Sequence, residues 1–162
     1  MTLLRKPPFK ALALTLFPEM FPGSLGYSLA GKALENGLWE LQTRNIRDYS
    51  TNKHGNVDDT PYGGGTGMVM TADVIDAALV DAKKALPHGK LIHFSPRGQK
   101  ITQKLVSELV QEDLILLCGR FEGIDERVLE EHQPLELSLG DFVLSGGEPA
   151  ALALLDACLR LV

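Results

Sequence analysis

Leu114-Ile115-Leu116-Leu117-Cys118-Gly119-Arg120-Phe121-Glu122-Gly123-Ile124-Asp125-Glu126-Arg127 is the stretch that decides the fold. Its first five residues are apolar without interruption, and the run stops at Gly119. An alternating pattern would mark a half-exposed strand. An unbroken one marks a strand covered on both faces, in the middle of a parallel sheet. Two glycines then bracket Arg120 and Glu122, and a short helix is expected from Ile124 to Glu131. A strand end feeding such a loop is where open α/β sheets place their ligands. A second loop of the same kind follows: Ser138-Leu139-Gly140-Asp141-Phe142-Val143-Leu144-Ser145-Gly146-Gly147-Glu148.

Outward from this centre, strands and helices alternate. Lys10 to Phe17 reads as a strand ended by Pro18, and Ser24 to Asn36 as a helix stopped by Gly37. Leu38 to Ile46 alternates polar and apolar, a half-buried strand. Arg47 to Thr60 is polar throughout and reads as a long loop; with few apolar anchors it is expected to be mobile. Thr71 can cap a helix to about Ala85, with Ala72, Ile75, Ala78, Leu79 and Ala82 on one face. Lys90 to Phe94 is a short strand, Ile101 to Gln111 a helix with Leu105, Val106 and Leu109 inward, and Phe142 to Leu144 a last short strand. Ala150 to Val162 is a helix apolar almost all round, so it should be buried on more than one side. The expectation is one α/β domain with a mostly parallel sheet.

Composition narrows the classes. The 162 residues carry a net charge of −5, which advertises no nucleic-acid binding by bulk electrostatics. Arg5 and Lys6 precede only a short apolar stretch, so no signal peptide is read, and no run approaches a membrane span. Two cysteines, Cys118 and Cys158, make neither a disulfide framework nor a metal cluster, and a reducing, cytoplasmic setting is expected. None of the histidines, His54, His88, His93 and His132, has a partner at metal-ligand spacing, so no metal site is expected. The last helix stops without a cap or polar tail, as a fragment of something longer would.

The remaining motifs each admit two readings. Pro61-Tyr62-Gly63-Gly64-Gly65-Thr66-Gly67-Met68 can point free amides at an anion, or be a flexible surface loop. It is no phosphate loop, since no Lys-Ser/Thr follows. Phe94-Ser95-Pro96-Arg97-Gly98 is either an ordinary turn after a strand or the edge of a site where Arg97 and Lys100 meet an anion. Glu126 suits the start of a helix, whereas Glu122, between glycines, points to function. Pro149 suits a first helical turn, with Glu148 favoured there by the helix dipole. Asp156 and Arg160, at i and i+4, form an ion pair, or Arg160 contacts a substrate.

Five segments taken in order carry a resemblance: Leu16 to Phe21, Asp58 to Met68, Ser95 to Gly98, Cys118 to Arg127, and Ser138 to Glu148. Together they resemble the TrmD family, the bacterial tRNA (guanine-N1)-methyltransferases of the SPOUT superfamily, over nearly the whole chain. The resemblance implies a SPOUT fold, a mostly parallel sheet flanked by helices with a C-terminal deep trefoil knot. It implies S-adenosylmethionine held by three loops: His93, Phe94, Ser95 and Pro96; Gly119, Phe121, Glu122 and Gly123; and Ser138, Leu139, Gly140, Asp141, Phe142, Val143, Leu144, Gly146 and Gly147. Glu122 would stand near the methionine portion, and the backbone of Leu139 to Leu144 would hold the adenine. The substrate implied is the guanosine of tRNA next to the anticodon, methylated by an obligate homodimer whose sites are shared between subunits.

Within that resemblance Arg160 is the catalytic residue, stabilising charge on O6. The general base, an aspartate, is expected in a tRNA-binding domain beyond Val162, so this chain should bind cofactor but methylate poorly. Mg2+ is a further ion the family admits. Arg97 and Phe121 are mild departures from the family pattern. A dinucleotide oxidoreductase would need Gly-x-Gly-x-x-Gly after the first strand, where Pro18 stands instead. An RNA-binding module would need a basic face with exposed aromatics, which the composition does not offer.

Overall fold

The computed structural model describes residues 8–51, 53–59, 69–120 and 123–162. Strand β1 (Phe9–Thr15) crosses through two 3-10 turns and helix α1 (Ser28–Glu35) to β2 (Trp39–Asn45). Next come β3 (Asp58–Asp59) and β4 (Val69–Met70), paired antiparallel, then α2 (Ala72–Ala85). The rest is β5 (Lys90–Lys100), α3 (Gln103–Leu109), β6 (Leu114–Leu117), α4 (Glu126–His132), β7 (Leu135–Ser138) and α5 (Glu148–Leu159).

The main sheet has the order β2-β1-β6-β5-β7, and every pairing in it is parallel. β6 is central, as its unbroken apolar run implied. Its neighbours in sequence point to opposite faces. Leu114 and Leu116 enter one core with Phe9, Ala11, Trp39 and the buried side of α5; Ile115 and Leu117 enter the other with Leu12, Leu14 and α2. Every position in β6 is therefore buried. Among the described residues no helix is long and apolar enough to cross a membrane.

Several elements differ from expectation. The helix expected over Ser24–Asn36 is split: a 3-10 turn over Gly23–Gly26 precedes α1. In α2 the buried face is Val74, Ile75, Ala78, Leu79 and Ala82; Val74 replaces Ala72, which is only half-buried. Residues 47–51 and 53–59 are better anchored than their polarity suggested. Val57 is buried in the second core, the Tyr49 hydroxyl donates to Asp81 on α2, and Arg47 donates to the Gly55 carbonyl at 2.8 Å.

Two corrections concern the strands that shape the site. β5 does not end at Phe94. Both Phe94 and Gln99 pair with Leu137, so residues 95–98 form an excursion within one strand, and the ladder resumes beyond them. Gly98 makes that possible: a Cβ there would sit 2.6 Å from the backbone of Glu136 and Leu137. The last strand is Leu135–Ser138, not Phe142–Leu144. Phe142, Val143 and Leu144 are exposed and outside the sheet, so their apolar character serves another surface. The last helix also has an open face, with Ala153, Asp156 and Arg160 exposed.

Candidate ligand-binding site

At the carboxyl-terminal edge of β5, β6 and β7 lies a cavity of about 650 Å³, within the range of small-molecule sites. One wall is the β5 excursion, with His93, Phe94, Ser95, Pro96 and Arg97. The second follows β6, with Gly119, Arg120, Gly123, Ile124, Asp125, Glu126 and Arg127. The third follows β7, with Ser138, Leu139, Phe142, Val143, Leu144, Ser145, Gly146 and Gly147. Three loops far apart in sequence, each singled out above, therefore surround one space. Phe121, Glu122 and residues 61–68 lie outside the described residues.

Gly140 and Asp141 support the third wall without lining it. A Cβ on Gly140 would come 2.6 Å from the Phe142 ring, so the ring folds back over that residue. The Ser138 hydroxyl accepts from the Gly140 amide at 3.2 Å. Asp141 meets Lys100 at 2.9 Å, an exposed pair that contributes little to stability.

The base of the cavity is drawn tight by contacts between the second and third walls. The Gly147 amide donates to the Gly119 carbonyl at 3.0 Å. A Cβ on Gly147 would lie 2.9 Å from the Cys118 Cα, so only glycine lets the two backbones approach. One residue on, Arg120 Nε donates to Glu148 Oε1 at 3.0 Å, and Glu148 is completely buried. Sequence reasoning gave Glu148 only a helix-dipole role, because its partner stands far away in the chain.

Asp125 caps α4. Its carboxylate accepts from the Arg127 amide at 3.0 Å and from the Arg127 guanidinium at 3.0 and 2.7 Å. Those hydrogen bonds hold the Asp125 carboxyl below its ordinary value of 3.8. Both cysteines are buried; burial raises the Cys118 thiol well above its usual value and pushes Cys158 up to about 12, so neither is a nucleophile at neutral pH.

His93 is the buried titratable group of the first wall, 5% exposed. Its Nδ1 lies 3.5 Å from Glu136 Oε1 yet has no hydrogen-bond partner among the described residues. Burial drives its pKa below 6.5, against the opposing pull of Glu136 and Glu126 and with the help of Arg97. A depressed histidine contributes stability above the unfolded value and loses it as pH falls through that value toward the native one. Urea unfolding should therefore show stability falling below pH 6.5 by up to about 1.4 kcal/mol per pH unit. His93→Gln should flatten that dependence; an unchanged slope would show that His93 does not titrate as argued. Asp125 loses its contribution only in the range below 3.8, so the two are separable.

Arg160 is not brought to this cavity. It caps the far end of α5, exposed, whereas Gly147 and Ala150 at the near end line the space. The fold does assemble one histidine with acids that spacing could not reveal: Asp76, Glu131 and His132 bring possible ligand atoms within 4.8 Å of one another. His132 Nε2 lies 2.7 Å from Asp76, and Lys83 donates to its Nδ1 at 2.8 Å. This is a hydrogen-bonded chain from the Lys83 ammonium through the imidazole to the Asp76 carboxylate, and it lies outside the cavity lining.

Residues 9–162 match the family model described as tRNA (Guanine-1)-methyltransferase TrmD. The chain belongs to the TrmD family. TrmD relatives named tRNA (guanine-N(1)-)-methyltransferase include those of Rhodopseudomonas palustris (strain BisB18), 58% identical over 96% of this chain and 62% of the relative, and Rhodospirillum rubrum, 55% identical over 94% and 64%. The Wolbachia relative from Culex pipiens is 52% identical over 95% of this chain and 67% of its own. The chain thus spans about two thirds of the length of the TrmD proteins it matches.

Proposed function

We propose that this chain is the cofactor-binding part of an enzyme that methylates N1 of the tRNA guanosine next to the anticodon. The observation that carries the reading is the cavity, walled by the same three loops that the family resemblance assigns to S-adenosylmethionine. The residues fit such a group. Phe94, Leu137, Leu139, Phe142 and Leu144 offer apolar surface for a flat heterocycle, while Glu126 puts a carboxylate beside the space for a cationic end. Bound there, the cofactor would supply an electrophilic methyl group on a sulfonium. Residues 1–162 form one SPOUT domain with a deep trefoil knot in this reading.

N1 of guanine carries a proton, so methylation needs a base to take it and a donor to hold charge growing on O6. Arg160 is the residue proposed for O6. Its position on the open face of α5, away from the cavity of its own chain, supports its serving a second copy in a homodimer. The base is proposed to be an aspartate in the part of the relatives beyond the segment matched here, together with most of the tRNA contacts. A cytoplasmic setting follows from tRNA as substrate.

Titration calorimetry with S-adenosylmethionine tests this, with NADH as control. We expect binding of S-adenosylmethionine only, weakened about tenfold or more by Glu122→Ala and by Gly140→Val. Binding of NADH instead would overturn the reading.

A further inference from the structure

Glu148 is 0% exposed, does not line the cavity, and among the described residues bonds through one oxygen. Oε1 accepts from Thr15 Oγ1 at 3.1 Å and from Arg120 Nε at 3.0 Å. The Thr15 hydroxyl in turn accepts from the Phe17 amide at 3.0 Å, so the carboxylate is fixed to the end of β1, which is no part of the walls. Arg120 does line the cavity, and its guanidinium is held from other sides as well. It lies 4.7 Å over the Phe17 ring and 3.5 Å from Met20 Sδ, and it donates to the Ser145 carbonyl at 3.4 Å.

We infer that Glu148 is a positioning residue, acting through Arg120 to set the separation of the wall that begins at Gly119 and Arg120 from the wall that ends at Gly147, and thereby the affinity of the cavity. The geometry is that of a two-point clamp. The Gly147–Gly119 hydrogen bond alone is a hinge about which the walls could swing. The Arg120–Glu148 ion pair adds a second tie one residue along each segment, and Thr15 anchors that tie to the sheet.

Stability alone does not explain the residue. Buried ion pairs can often be replaced by apolar side chains without loss. Here the second oxygen, Oε2, is buried with no hydrogen-bond partner among the described residues, a feature that stability alone would select against. A carboxylate in this place is explained by what it aims.

Taking S-adenosylmethionine as the ligand rests on the function proposed above; the clamp itself does not. The test uses the whole protein with Glu148→Gln, which keeps an acceptor oxygen but removes the charge, Glu148→Ala, and Thr15→Val, which removes one bond to the same oxygen. Hydrogen exchange without ligand reads the amides of residues 119, 120 and 145–147; kinetics with tRNA read KM for the cofactor and kcat separately. Folded Glu148→Gln should exchange faster at those amides, with KM raised about 10- to 100-fold and kcat changed less than about threefold. Thr15→Val should shift both readouts the same way by less, and it keeps the test open if Glu148→Ala does not fold. Unchanged exchange at the walls in folded Glu148→Gln overturns the inference. If the parent protein binds no S-adenosylmethionine, the proposed function fails, and faster exchange confined to the walls still supports the clamp.

Discussion

A Gly147→Val protein is expected to lose ligand binding by more than about 100-fold, with the fold weakened as well. The added Cβ would stand 2.9 Å from the Cys118 Cα and 3.3 Å from the Gly119 nitrogen. Both are backbone atoms at the end of the central strand, with no flexible side chain to give way. Overpacking of this sort costs about 1–3 kcal/mol, and losing the Gly147–Gly119 hydrogen bond adds about 1 more. Since that bond joins two walls of the cavity, the loss falls on the site before it falls on the cores. Urea unfolding and titration calorimetry on the same samples would separate the two effects. Undiminished affinity would mean that β6 can shift at its end without disturbing the cavity.

Trp39→Ala should act in the opposite sense, on the fold and not on the site. Trp39 is fully buried at the start of β2, and its Nε1 donates to the Ala30 carbonyl at 2.9 Å. Truncation leaves a large void and removes that hydrogen bond, at a cost of about 3–5 kcal/mol. For a domain of this size that lowers the melting temperature by about 6–20 °C. β2 is the edge strand farthest from the cavity in the order β2-β1-β6-β5-β7, so protein that remains folded should bind its ligand as before. Calorimetric melting and ligand titration together check this; a large loss of affinity in folded protein would show coupling across the whole sheet.

The sequence was legible wherever burial imposed a pattern. Leu114 to Cys118 reads as the centre of the sheet because both faces demand apolar side chains, and Ile101 to Gln111 reads as a helix because its inward face repeats at helical spacing; the elements found are Leu114–Leu117 and Gln103–Leu109. The three loops were legible because glycine, proline and charge concentrate after strands. Two of the differences share one physical cause: residues whose chemistry serves the cavity carry the same apolar or turn-forming character as residues that serve the sheet. Phe142, Val143 and Leu144 look like a strand because they are apolar, yet they form a wall. Pro96 and Gly98 look like the end of a strand, yet they sit in an excursion whose ladder resumes at Gln99. Leu135 to Ser138 pairs on one side only and is too short for an alternating pattern to stand out. The Arg120–Glu148 tie spans 28 residues and leaves no local trace at all.

The strand order bears on how the protein is made. β6 sits between β1 and β5, both of which leave the ribosome before it. Lys10 and Asp113, which meet where β1 and β6 begin, are 103 residues apart. At about 5–20 residues per second, β1 waits roughly 5–20 seconds with an apolar edge open before its central neighbour exists. During synthesis that edge is available to any other unpaired strand, including one on a neighbouring nascent chain. β6, the last strand to reach the centre, is the one that ends the exposure.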